Sequence, residues 1–224
     1  MIKAAIFDFN GTLFFDTDKH VKAWGKITEE LRGKPMTNEE HEEIKGRTTD
    51  LIFEFFTGKK PTKEETDMYA ERKEAAYRAL CHAEKDKLCL ADGAVEFLDA
   101  LKAANVPMTI ATSSPEVNVD FYFEDLGIGR WFKKDLVSFD DGTINGKPAP
   151  DIYLRAAEKL GVDIGECAVF EDAVSGIASA RNAGAGEIYG VASATPVEIL
   201  SAEEGVTRVI ADYTELSVED VIHD

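Results

Sequence analysis

Short apolar runs that break abruptly into polar clusters recur along this chain. The first, Ala4-Ala5-Ile6-Phe7, ends at Asp8-Phe9-Asn10-Gly11-Thr12 and predicts a buried strand running into a loop. From about residue 90 onward, such runs alternate with helical periods. Helices are expected over 92–104, 116–126, 150–160 and 173–183, and strands over 108–111, 136–139, 167–170, 188–191 and 206–210. Strands alternating with helices of this length predict a parallel sheet with right-handed crossovers. Asp140-Asp141-Gly142-Thr143 reads as a hairpin-like turn, and Gly127-Ile128-Gly129 as a helix end. Thr112-Ser113-Ser114 before Pro115 reads as a strand-end loop and also as an N-cap cluster.

Residues 16–90 follow a different pattern, helical and heavily charged. Thr37 with Glu40, and Thr62 with Glu65, fit capping boxes. Lys34-Pro35 and Gly58-Lys59-Lys60-Pro61 separate the helices, of which about four are expected. In the last of them Met68, Ala75, Ala76, Ala79 and Leu80 fall near one face, and Trp24 is read as core of this region. The picture is an α/β core, 1–15 and 91–224, split after its first strand by a helical insert over 16–90.

Composition narrows the picture. The chain of 224 residues carries 43 acidic against 25 basic side chains, a formal charge of −18. A surface this acidic repels nucleic acid and anionic membranes, so neither is expected as a partner. It also repels phosphorylated molecules at long range, so any phosphate site must be built locally. Cys81, Cys89 and Cys167 form no disulfide framework. No run approaches the ~20 apolar residues of a membrane span, and the N-terminus lacks the regions of a signal peptide. The expectation is a cytoplasmic protein, and nothing in the sequence demands more than a monomer.

Parallel α/β sheets bind ligands beyond the carboxyl ends of their strands. The residues there are Asp8 to Thr12, then Thr112-Ser113-Ser114, then Gly146-Lys147-Pro148-Ala149-Pro150-Asp151, then Glu171-Asp172. Carboxylates, hydroxyls and a lysine are the parts that phosphoryl transfer needs, since its catalysis is mostly positioning and electrostatic stabilisation. Asp8 and Asp172 suit magnesium, which takes oxygen ligands. Lys147 suits phosphate oxygens as a point charge. The Thr112 hydroxyl and the backbone N–H groups of 9–12 and 112–114 suit the same oxygens. A remaining carboxylate can attack phosphorus. No GxxxxGK[ST] loop occurs, which excludes a P-loop NTPase.

These motifs in this order resemble the haloacid dehalogenase-like superfamily over essentially the whole chain. Asp8-Phe9-Asn10-Gly11-Thr12-Leu13 resembles its first motif, Thr112 its second, Lys147 in Lys-Pro-Ala-Pro-Asp its third and Glu171-Asp172 its fourth. The stretch FEDAVSGIASARNAGA is similar to that of β-phosphoglucomutases and related sugar phosphatases. The resemblance implies a Rossmann-like core with a small helical cap inserted after the first strand. It implies Asp8 as nucleophile, with Mg²⁺ held by Asp8, the Asn10 carbonyl and Asp172, and Glu171 close by. Thr112 and Lys147 would hold the transferring group, with Gly11 and Ser113 in the phosphate loops. His20 and Arg47 match cap-hinge and substrate-facing positions. The implied reaction is hydrolysis of a small phosphorylated metabolite, a sugar phosphate above all, with mutase transfer as the alternative. A dehalogenase fits less well, because Asp172 and Lys147 suit metal and phosphate.

One position departs from the family. Its phosphatases and mutases carry a second aspartate two residues after the nucleophile, where this chain has Asn10. An amide cannot exchange protons near neutral pH, and losing a general acid/base removes ~10²–10⁴-fold in rate. Three readings stay open. The enzyme works on a good leaving group or borrows an acid/base such as His20. The chain is a phosphometabolite binder with little catalysis. Or Asn10 is an introduced replacement. Asn10-Gly11 also reads as a deamidation site that would regenerate the aspartate.

Overall fold

Every residue of Ala4–Phe7 is buried, the signature of a strand covered on both faces of a sheet. The computed structural model describes residues 1–44 and 49–222. Its strands are β1 (Ala4–Phe7), β2 (Met108–Pro115), β3 (Ser138–Asp140), β4 (Cys167–Glu171), β5 (Glu187–Val191) and β6 (Arg208–Ile210). They pair in parallel in the order β3-β2-β1-β4-β5-β6. The sheet grows one way from β1 to β3 and the other way from β4 to β6, so β1 and β4 flank a topological switch point. That is where open α/β sheets hold ligands.

The helices are α1 (Thr17–Arg32), α2 (Asn38–Ile44), α3 (Thr49–Thr57), α4 (Lys63–Ala83), α5 (Ala94–Ala103), α6 (Glu116–Asp125), α7 (Asp151–Leu160), α8 (Val174–Ala183) and α9 (Val197–Ala202). The Rossmann-like parallel sheet with a helical segment after its first strand is therefore borne out. No helix among the described residues is long and apolar enough to cross a membrane. The chain divides into two compact units, Met1–Phe15 with Cys89–Asp224, and Asp16–Leu88.

In the first unit the pleat sorts the core. Ile6 and Val169 join Ile152, Tyr153 and Ala156 of α7 and Ile177 of α8 in one cluster. Phe7 and Phe170 stack with centroids 4.6 Å apart, and Phe97 and Tyr213 close around them. These layers clamp the two strands whose ends carry Asp8 and Glu171.

The second unit is helical. Both capping boxes form: Thr62 with Glu65, and Thr37 with Glu40. Trp24 and Met36 pack on Ile44, Ile52 and Phe56, as expected of Trp24. The face read for α4 is corrected. Met68, Ala75 and Ala79 are exposed, and the buried stripe is Lys73, Tyr77 and Cys81. The reason is polar: the Tyr77 hydroxyl donates to the buried Asp16 carboxylate, so a tyrosine and a lysine take positions that hydropathy assigns to alanines.

Three further expectations shift. Thr112, Ser113 and Ser114 continue β2, and Pro115 holds the cap position of α6 without a side-chain cap bond. The N-cap reading therefore fails. The hairpin after β3 is absent because β3 pairs in parallel with β2. Instead Asp140 and Asp141 accept the backbone N–H groups of Gly142 and Thr143. The short α9 was not expected.

Candidate active site

β1 and β4 pair with Phe7 opposite Phe170, which sets their next residues side by side at the switch point. The Asp8 N–H donates to the Phe170 carbonyl at 2.9 Å. Lys147 arrives from the β3–α7 connection. Its Nζ lies 2.7 Å from Asp8 Oδ1 and 2.5 Å from Glu171 Oε1. Glu171 also accepts the Tyr153 hydroxyl at 3.2 Å and the Ala173 N–H at 2.8 Å. Thr12 Oγ1 donates to Asp172 Oδ1 at 3.2 Å.

Two glycines make room for these carboxylates. Gly11 has φ +77°, and a Cβ there would sit 2.3 Å from Asp172 Oδ2. A Cβ on Gly176 would sit 1.6 Å from Glu171 Oε1. Any side chain at either position would displace the acid it faces.

Asp8, Glu171 and Asp172 each place a carboxylate oxygen within 4.8 Å of the others. Burial, then the charges of Glu171 and Asp8, push the Asp172 carboxyl well above the usual range. Burial pulls the Lys147 ammonium down, but Asp8 and Glu171 outweigh it and hold its pKa well above the ordinary value. Crowded hard oxygen donors with excess negative charge fit a small divalent cation such as Mg²⁺. The donor set contains no sulfur or imidazole that would favour a softer metal.

Thr112 is buried, and its Oγ1 accepts the Ser114 N–H at 3.1 Å. Ser113 is exposed on β2. Asn10 Oδ1 accepts from Ser114 Oγ at 2.8 Å and from the Tyr122 hydroxyl at 2.9 Å. The Gly11 N–H, which would have to attack the Asn10 side chain during deamidation, donates to the Phe14 carbonyl at 2.7 Å. Both partners of that ring closure are engaged, which disfavours the expected deamidation.

Asp8, Asn10, Gly11, Thr112, Ser113, Lys147, Glu171 and Asp172 thus all belong to the first unit. His20 belongs to the helical unit, stacked on Tyr77 at 4.0 Å with Nδ1 2.9 Å from Lys73 Nζ and Nε2 3.4 Å from Asp16 Oδ2. Arg47, with neighbouring Lys45 and Gly46, lies outside the described residues. Sequence reasoning missed Tyr153 and Tyr122, and it placed Ser114 at the strand end without its bond to Asn10. Tyr153 carried a signal, because it follows Lys147-Pro-Ala-Pro-Asp151 by two residues. Tyr122 carried none beyond an aromatic in a helix.

Comparison with known proteins agrees with this geometry. A family model described as haloacid dehalogenase-like hydrolase matches residues 2–184. The solved structure of a HAD hydrolase, family IA, variant 3, from Entamoeba histolytica HM-1:IMSS is 41% identical, covers 98% of this chain and 97% of its own, and superposes with a TM-score of 0.93. A β-phosphoglucomutase structure from Clostridium difficile is 25% identical, with coverage of 99% and 96% and a TM-score of 0.82. The phosphorylated carbohydrates phosphatase of Thermotoga maritima is 29% identical over 194 residues, 85% of each chain.

Proposed function

The chain belongs to the haloacid dehalogenase-like hydrolases and is an enzyme of their phosphatase type, and from that premise we propose that it hydrolyses a small sugar phosphate through an aspartyl-phosphate on Asp8. The observation that carries the proposal is Lys147 Nζ 2.7 Å from Asp8 Oδ1, beside the further carboxylates of Glu171 and Asp172. The sugar class is supported by the relative named a phosphorylated carbohydrates phosphatase.

Asp8 attacks phosphorus, the bond from phosphorus to the sugar oxygen breaks, and its electron pair leaves with that oxygen, which takes a proton from water. A second water then attacks the aspartyl-phosphate, releasing inorganic phosphate and restoring the Asp8 carboxylate. Lys147 and the Thr112 hydroxyl hold phosphoryl oxygens, aided by the backbone N–H groups near Gly11 and Ser113. Asp8, Asp172 and the Asn10 carbonyl, with Glu171 beside them, would hold Mg²⁺. When bound, the ion supplies positive charge that offsets that of the phosphoryl oxygens. The helical insert is proposed to act as a substrate-selecting cap, with His20 and Arg47 as candidate substrate contacts.

Likeness to a β-phosphoglucomutase favours a second reading, transfer to another sugar hydroxyl instead of water. Phosphate release from a panel of sugar phosphates, with Mg²⁺ and with EDTA, tests the proposal. Release that needs Mg²⁺ and vanishes in Asp8→Ala is expected. Isomerised sugar phosphate without free phosphate would favour the mutase. Substrate binding with no turnover in the parent or in Asn10→Asp would make the chain a binder.

A further inference from the structure

Asn10, Ser114 and Tyr122 form a closed triangle. Ser114 Oγ and the Tyr122 hydroxyl lie 2.8 and 2.9 Å from Asn10 Oδ1 and 3.0 Å from each other. The corners come from three elements: the loop after β1, the end of β2, and α6. Tyr122 is fully buried, and its ring stacks on Phe9 with centroids 3.9 Å apart. Ser114 is buried too, and its N–H is tied to Thr112 Oγ1 at 3.1 Å. Buried hydroxyls are costly unless bonded, and here two of them converge on the side chain that departs from the family pattern.

From this geometry we propose that Tyr122 and Ser114 are positioning residues, which hold the Asn10 amide oxygen inward so that its amino end is the group offered to a substrate oxygen. The amide then serves as a fixed hydrogen-bond donor that stabilises the departing sugar oxygen without transferring a proton. Neither hydroxyl touches the reacting atoms; both act through residue 10. The kinetic consequence rests on the phosphatase reading, whereas the orientation of the amide does not.

The test therefore has two arms, run on the full chain and on Tyr122→Phe, with Ser114→Ala as a second variant and melting temperature as the check on folding. In the first arm, the Asn10 side-chain amide signals are identified in the NMR spectrum of ¹⁵N-labelled protein by their loss in Asn10→Asp. In Tyr122→Phe they are expected to shift and to exchange faster with solvent. Unchanged signals would overturn the proposal, whatever the enzyme's turnover. In the second arm, Tyr122→Phe is expected to lower kcat roughly 10-fold with little change in KM, as misplacement of a site group does. The same substitution in an Asn10→Ala background is expected to change kcat less than about twofold, because the group being positioned is gone. An equal loss in both backgrounds would overturn the positioning role. Absence of turnover in every variant would fail the phosphatase reading and leave the amide signals to decide this one. If Tyr122→Phe does not fold, Ser114→Ala carries both arms.

Discussion

The two units bury charge in opposite ways. In the helical unit, buried ions meet partners that satisfy them. Lys73 Nζ lies 2.8 Å from Glu74 Oε1 and 2.9 Å from His20 Nδ1, and Asp16 takes the Tyr77 hydroxyl and faces His20. In the α/β unit, Asp8, Glu171 and Asp172 crowd around Lys147, and the Asp172 carboxyl is driven up by burial and by its acidic neighbours. The first arrangement pairs its ions within the unit, with His20 Nε2 near Asp16 but not hydrogen-bonded. The second holds negative charge in excess, which costs stability until a cation arrives. Structural networks and prepared sites therefore differ in balance rather than in the kinds of residue they use.

Removing the cation should break the contrast most forcefully. Lys147→Met leaves the three acids facing one another, and loss of one member of a buried pair costs ~3–5 kcal/mol. Urea denaturation of the metal-free variant is expected to show that loss, and Mg²⁺ to restore part of it. Turnover should fall by roughly 10²–10³-fold, as when a donor to developing charge is lost. In the helical unit, Tyr77→Phe removes one hydrogen-bond donor from the Asp16 carboxylate at a smaller cost of ~1–3 kcal/mol, and Mg²⁺ should restore none of it.

Much of this was legible in the sequence, for a physical reason. Short apolar runs such as Ala4–Phe7 and Cys167–Phe170 are buried on both faces and announce themselves without context. The polar residues at their ends fall at the switch point by topology alone. What stayed hidden depends on partners distant in the chain. Tyr77 is buried because of Asp16, 61 residues away. Tyr122 matters because of Asn10, 112 residues away. The strand character of Thr112 to Pro115 rests on pairing with β3, which polar side chains do not advertise. α9, with only six residues, is too short to leave a helical period.

A substitution in the acid cluster sharpens the comparison from the other side. Asp172→Asn removes one of the crowded charges. The metal-free protein should become more stable, by on the order of 1 kcal/mol or about 2–4 °C in melting temperature. Turnover should be lost, and the melting temperature should no longer respond to Mg²⁺. A metal-free variant less stable than its parent would contradict the crowding argument.

The smallest effect concerns a half-buried pair of the helical unit. The Arg32 guanidinium, together with the Thr37 N–H, holds the Glu40 carboxyl down to about 2. A carboxyl with a lowered folded-state pKa stabilises fully above its ordinary value of 4.5 and loses that contribution as pH falls toward 2. Glu40→Gln should therefore lower the urea midpoint slightly at pH 6, with the difference from the parent shrinking as pH falls toward 2. A constant difference would mean the pair contributes by packing alone.

The central claim is that Asp8 carries the phosphoryl group. Acid quenching of the enzyme during turnover of a sugar phosphate, followed by peptide mass analysis, tests it most directly. A phosphoryl-sized mass gain on the peptide containing Asp8, absent in Asp8→Asn, is the predicted result. Full turnover with the gain on another residue, or undiminished turnover in Asp8→Asn, would contradict it.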